Sequence, residues 1–121
     1  MSVPVVVRER CRAFLGLTGD ILYIFPAALL GAGAHFIFVV TDSEVIVIST
    51  AMFTRTKPKS VWGRYPRGIR IGPVDMTGMG AFFELGGTSF EVDDEYVPVI
   101  NAADTEVFAP ETLPRDPLPD L

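Results

Sequence analysis

The chain of 121 residues carries one cysteine and one histidine, and it has no charged side chain between Asp20 and Asp42. A lone cysteine, Cys11, excludes an intrachain disulfide, so nothing in the covalent plan demands an oxidising compartment. No His or Lys stands beside it to activate the thiol, which leaves burial as a small hydrophobe. His35 has no serine elbow of the G-x-S-x-G type anywhere in the chain to work with, so a Ser-His-Asp machine has no support. Gly78-Met79-Gly80 lacks the third glycine of a nucleotide loop, and no G-K-[ST] occurs. Asp93, Asp94 and Glu95 bunch three carboxylates, but capping of a helix after them accounts for all three without a metal. The expectation is a protein with no catalytic residue, no metal and no cofactor. No export is expected either, because Val3 to Val7 precede Arg8, Arg10 and Arg12, and Asp20 interrupts the apolar run after these arginines. A cytoplasmic location is expected, with the inner face of the membrane as the alternative.

The charge-free stretch, Ile21 to Thr41, is long enough to span a bilayer or to make two buried strands. Pro26, Gly31, Gly33 and His35 decide between them, since a spanning helix would have to absorb all four in hydrocarbon, whereas a hairpin uses them as turn and strand-end punctuation. The flanking residues are Asp20, Asp42 and Glu44, not the Lys or Arg that orient a span. Two strands are predicted, Ile21–Ala27 and Phe36–Thr41, with Ala27–Ala34 as the loop between them.

Further strands are predicted at Val45–Thr50, Ser60–Tyr65, Ile69–Val74, Ala81–Leu85 and Ser89–Val92, separated by the polar turn at Thr41–Glu44, by Pro66-Arg67-Gly68 and by Gly86-Gly87-Thr88. The uniformly apolar run Phe36–Val40 fits a strand covered on both faces, while Phe83 and Leu85 around Glu84 alternate as half-solvated strands do. Two segments carry a helical period. Val3, Val7, Cys11, Phe14 and Leu15 share one side of a short helix within Met1–Leu17, with Arg8 and Arg12 together on the other; Tyr96, Val99, Ile100, Ala103 and Val107 recur after Asp93 or Asp94 as cap. Pro98 confines the start of the second helix to about Glu95. Pro110, Pro114, Pro117 and Pro119 among acidic residues predict an extended or disordered tail. The organisation expected is an N-terminal helix over 1–18, one domain over 19–107 and a tail over 108–121.

Seven short strands and a closing helix succeed one another here in the order Phe38-Val39-Val40-Thr41-Asp42, Ile46-Val47-Ile48, Pro58-Lys59, Arg64-Tyr65-Pro66-Arg67-Gly68, Ile71-Gly72-Pro73 and Phe83-Glu84-Leu85-Gly86-Gly87. In that order and spacing, over about residues 20–104, the chain resembles the small bacterial pleckstrin-homology-like (PH-like) proteins. The resemblance implies a mainly β fold, a seven-stranded bent barrel of two antiparallel sheets capped by the C-terminal helix. Such scaffolds bind lipid headgroups, peptides or copies of themselves, and fold alone does not choose among these. Phosphoinositide-binding relatives carry basic residues between the first two strands; here that loop holds no cation to pair with phosphate.

Charge is unevenly spread. Arg55, Lys57, Lys59, Arg64, Arg67 and Arg70 are six of the ten basic residues, while from Glu84 onward there are ten acids and one arginine. A net charge of −5 argues against nucleic acid as a partner. The function expected is a non-catalytic interaction module that binds a protein partner or another copy of itself, the basic segment steering an acidic ligand to an exposed strand edge or groove. The alternative is a peripheral membrane adaptor in which Leu29 and Leu30 form an inserting tip and the basic residues face anionic lipid.

Overall fold

The computed structural model describes residues 3–29, 33–51, 54–76, 78 and 80–108. Along the chain run α1 (Val5–Leu15), β1 (Tyr23–Leu29), β2 (His35–Val40), β3 (Glu44–Ala51), β4 (Thr54–Pro66), β5 (Ala81–Leu85), β6 (Thr88–Val92), a 3-10 turn at Asp94–Tyr96 and α2 (Val97–Phe108). The strands form one antiparallel sheet in the order β4-β3-β2-β1-β6-β5, open at β4 and β5. Among the described residues no helix is long and apolar enough to cross a membrane.

The charge-free stretch is a strand pair, as its punctuation required. β1 nevertheless continues through Pro26 to Leu29, so Ala27, Ala28 and Leu29 belong to the strand and not to the expected loop; residues 30–32, with Leu30, lie outside the described residues. Proline is tolerated there for a register reason. Leu29 donates its N–H to the Ala34 carbonyl at 2.8 Å, and alternation from that bond turns the N–H positions of residues 23, 25 and 27 toward β2 and position 26 toward the other edge. β6 pairs with β1 only at Ala28 and Leu29, so Pro26 breaks no ladder bond.

Both faces of β1–β3 are covered, which is why these strands read as continuous apolar runs. One face carries Ile24, Ile37, Val39, Ile46 and Ile48 against Val7 and Cys11 of α1. The other carries Phe25, Phe38, Val40, Val45 and Val47 against β5, β6 and the buried Ile100 and Ala103 of α2. Rings fill this second layer: Phe38 stacks on Phe25 with centroids 4.9 Å apart and meets Phe83 and Phe90 edge-on at 5.4 and 5.1 Å.

α1 starts after Pro4, and Gly16 ends it in the left-handed region (φ 64°), where Gly16 and Leu17 donate back to the carbonyls of Ala13 and Arg12. Arg8 and Arg12 share one flank as expected, and both are used inside the molecule. Arg8 donates to the Ile21 carbonyl and Arg12 to that of Gly19, each at 2.7 Å, tying the helix to the segment that enters β1. Phe14, expected on the inner side, is 41% exposed. Cys11 is fully enclosed, and burial pushes its thiol up to about 11. A thiol-reactive disulfide dye at pH 8 is therefore expected to label Cys11 only as fast as the protein opens, and at once in denaturant. Since the unfolded thiol loses its proton near 9 and the folded one near 11, the stability contributed by the protonated group is full below 9 and declines as pH rises through that window. Rapid labelling of the folded protein would contradict the packing of α1.

Among the described residues six strands are found where seven were expected, and in one sheet instead of two. The difference lies at Ile69–Val74, which pairs with no strand. Its backbone bonds are made with a side chain: the Ile71 and Gly72 N–H groups donate to the two carboxylate oxygens of Asp104 at 2.9 and 2.8 Å, and Ile71 is fully buried. Pro73 has no N–H to offer a ladder. Only beyond it does the segment touch the sheet, through the single bridge Asp75–Phe82. The expected strand Ser60–Tyr65 is the C-terminal half of a longer β4 that reaches back to Thr54 and carries three irregularities of register. Near the chain's end, Asp93 precedes the 3-10 turn but its side chain makes no capping bond; its carbonyl accepts the Tyr96 N–H instead. Pro98 sits in the first turn of α2 as its chemistry demands. The expected tail over 108–121 lies outside the described residues except for Phe108, the last residue of α2.

Candidate interaction edge

β4 is the outermost strand on its side of the sheet, so along one edge its N–H and C=O groups face no strand among the described residues. Its pairing with β3 skips a register between Val47 and Ile48, opposite the sequence Val61-Trp62-Gly63. This bulge lets Trp62 lean over the ring layer, 5.2 Å from Phe36 and 5.7 Å from Phe90 between centroids, while Val61, paired with Ile48, stays on the α1 side. Gly63 next to it leaves room for the Tyr65 ring, whose atoms would stand 3.3 Å from an added Cβ. Trp62 remains 45% exposed and Val61 is also exposed, an apolar pair on a strand that also carries Lys57, Lys59 and Arg64.

The six basic residues divide into two groups. Arg64 is held by Glu44 at 2.9 Å. Arg67, only 11% exposed in its side chain, donates to the Ala103 carbonyl at 2.9 Å and stands 3.4 Å from Glu106, fastening the end of β4 to α2. Glu106 also accepts from the Tyr23 hydroxyl at 2.6 Å, a bond that with burial and the carboxylate charge raises the tyrosine's pKa. Arg70 lies 3.9 Å from Asp104. These three arginines answer acids of their own domain and leave little charge for a partner. Lys57 and Lys59, by contrast, are exposed, with no ion pair among the described residues; the side chain of Arg55 lies outside them.

Leu29 does not stand out as a tip. It is half-buried, pairs with Phe90 and packs on the ring layer. The structure thus separates the residues that the sequence grouped together: Leu29 and Arg67 are structural, and Lys57 and Lys59 mark the open edge. Trp62 joins them there. The signal available in the sequence was a lone tryptophan inside a segment rich in lysine and arginine, which a strand core has no use for.

Chemically this arrangement offers backbone hydrogen bonds to an extended segment, a ring to anchor it and two ammonium groups to attract carboxylates. Comparisons with protein-family models, with curated proteins and with solved structures gave no significant match.

Proposed function

We propose that the protein is a non-catalytic interaction module whose β4 edge receives an extended acidic segment of a protein partner as an additional strand. The single observation that carries this reading is the unpaired edge of a 13-residue strand that presents Lys57, Lys59 and a half-exposed Trp62 together. Edge lysines, Pro58 and bulges are also how proteins discourage edge-to-edge pairing, and here the discouragement is selective. Two β4 edges brought together would set lysine against lysine, whereas an acidic strand meets opposite charge. The chain's own acidic segment at 109–121 is a poor occupant, because its four prolines remove ladder donors. The reading of the domain as PH-like is supported by the order of strands and closing helix and by the sequence elements that resemble that family, and binding of extended peptides suits such a scaffold.

Trp62 is the only tryptophan, so its emission reports on the edge. Titration with an eight-residue peptide alternating glutamate and valine is expected to shift that emission saturably at low salt. The affinity should fall as salt rises, and it should drop about tenfold or more with Lys57→Glu and Lys59→Glu combined. A peptide with lysine in place of glutamate should not bind. Equal binding of both peptides, or none of either, would overturn the proposal. Sedimentation with vesicles containing phosphatidylglycerol, in the absence of peptide binding, would move the function to a membrane surface.

A further inference from the structure

On the α1 side of the sheet, where β1, β2 and β6 meet, lies a cavity of about 330 Å3. None of its lining residues belongs to β4, and it borders the ring layer at Phe36. Register places its principal side chains. Ala28 pairs with His35 on β2 and with Glu91 on β6, so His35, Ala28 and Glu91 form one row across three strands and point to one face. With strands about 4.8 Å apart, the imidazole and the carboxylate rise from positions roughly 10 Å apart, with only a methyl group between them. Asp93 comes two residues after Glu91 with extended backbone (φ −68°, ψ 145°), which returns it to the side of Glu91. Val7 of α1 and Ile37 of β2, both buried, supply the apolar wall.

The lining contains two carboxylates and neither lysine nor arginine. Tyr96 also lines the cavity, and its phenol is raised first by burial and then by the charges of Glu95, which lies outside the lining, and Asp93, which belongs to it. A bare metal ion is a poor fit, because among the described residues no three His, Cys, Asp or Glu side chains converge. The volume lies at the lower end of the range for small-molecule sites, about 300–1,000 Å3.

We infer that this cavity is a binding site for a small organic cation with an apolar body, its ammonium group held by Glu91 and Asp93 and its hydrocarbon packed on Val7, Ala28 and Ile37. Charge selects the head and the alanine makes the room: a larger side chain at position 28 would fill the floor.

The probe is 2-phenylethylamine, with the uncharged 2-phenylethanol of similar shape as its counterpart, monitored by amide chemical shifts in the full chain. The amine is expected to produce saturable shifts confined to the neighbourhood of Val7, Ala28, His35 and Glu91, and the alcohol to bind at least tenfold more weakly. Glu91→Gln with Asp93→Asn should reduce the amine to the level of the alcohol, and Ala28→Phe should abolish both, with unchanged spectra elsewhere showing that each variant is folded. Equal binding of amine and alcohol, shifts that never saturate, or full affinity in the Gln/Asn variant would overturn the inference. So would contacts of Met1 or Ser2 with Ala28 and Glu91 in the free protein that the amine fails to displace.

Discussion

Asp104→Ala is expected to destabilise the protein by about 3–5 kcal/mol, measured by urea unfolding. The carboxylate is buried on α2 and accepts from two consecutive backbone N–H groups, at Ile71 and Gly72, in a stretch with no strand partner. Alanine would leave both donors without their acceptor, the Ile71 N–H buried and the Gly72 N–H partly so, at up to about 1–3 kcal/mol each, and would leave Arg70 without the carboxylate 3.9 Å away. Asp104→Asn keeps one acceptor oxygen and turns an amide donor toward the second N–H, so it should fall between the wild type and alanine. The effect is local in origin. Hydrogen exchange at Ile71 and Gly72 should accelerate in Asp104→Asn well before that of β1–β3 does. Gly72→Ala tests the same junction from the other side, since its new Cβ would lie 3.0 Å from the carboxylate oxygen and 3.2 Å from the Val74 nitrogen. A loss below about 1 kcal/mol in Asp104→Ala would refute the role of this side chain as the partner of the 71–72 backbone.

Phe38→Ala should cost a comparable amount, about 3–5 kcal/mol, for a different reason. Phe38 is wholly buried and touches Phe25, Phe83 and Phe90, so it joins the central strands to the β5–β6 hairpin that folds over them. Truncation removes both the transfer free energy of the ring and the contacts of three neighbouring rings around the cavity left behind. Against a total stability of about 5–15 kcal/mol for a domain of this kind, that is a fifth or more of what holds it folded. Phe14→Ala provides the control. Its ring is 41% exposed at the surface of α1, and the loss should stay below about 1 kcal/mol. Similar midpoints for the two variants would mean that the ring layer does not form as described.

The distribution of charge bears on how the β4 edge functions. The formal asymmetry of the sequence, basic over 55–70 and acidic beyond Glu84, is partly neutralised in the fold, with Arg67 and Arg70 facing Glu106 and Asp104 of α2. Such internal pairs fasten elements together and do little at long range. Among the described residues of the basic segment, the cations without an ion pair are Lys57 and Lys59, whose effect on encounter is felt over about a Debye length of 8–10 Å. Binding at the edge should therefore be sensitive to salt and depend mainly on the lysines, with Arg67→Ala weakening the fold more than the affinity.

Much of the fold was legible because it is local. The alternation around Glu84, the glycines at 86 and 87 with φ of 60° and 82°, the Thr41 hydroxyl that accepts the Ser43 and Glu44 N–H groups, and the proline at the start of α2 are each decided within a few residues. These periods and turn residues sufficed for β1, β2, β3, β5, β6 and both helices, with ends displaced by a few positions. The continuous apolar run Phe36–Val40 also identified β2 as a strand covered on both faces, which β1 and β3 share.

By itself, then, the sequence determined the hairpin within the uncharged stretch, the helical ends and the mainly β class, since those depend on side-chain period and backbone preference over short range. Tertiary structure alone decided that Ile69–Val74 is not a strand, because its amide groups are claimed by Asp104, more than thirty residues away. It also decided which cations stay open to a partner. No local pattern distinguishes Lys59 from Arg67; only the position of α2 buries one guanidinium beside its own carbonyl and carboxylate, and leaves the other charge in water at the edge of the sheet.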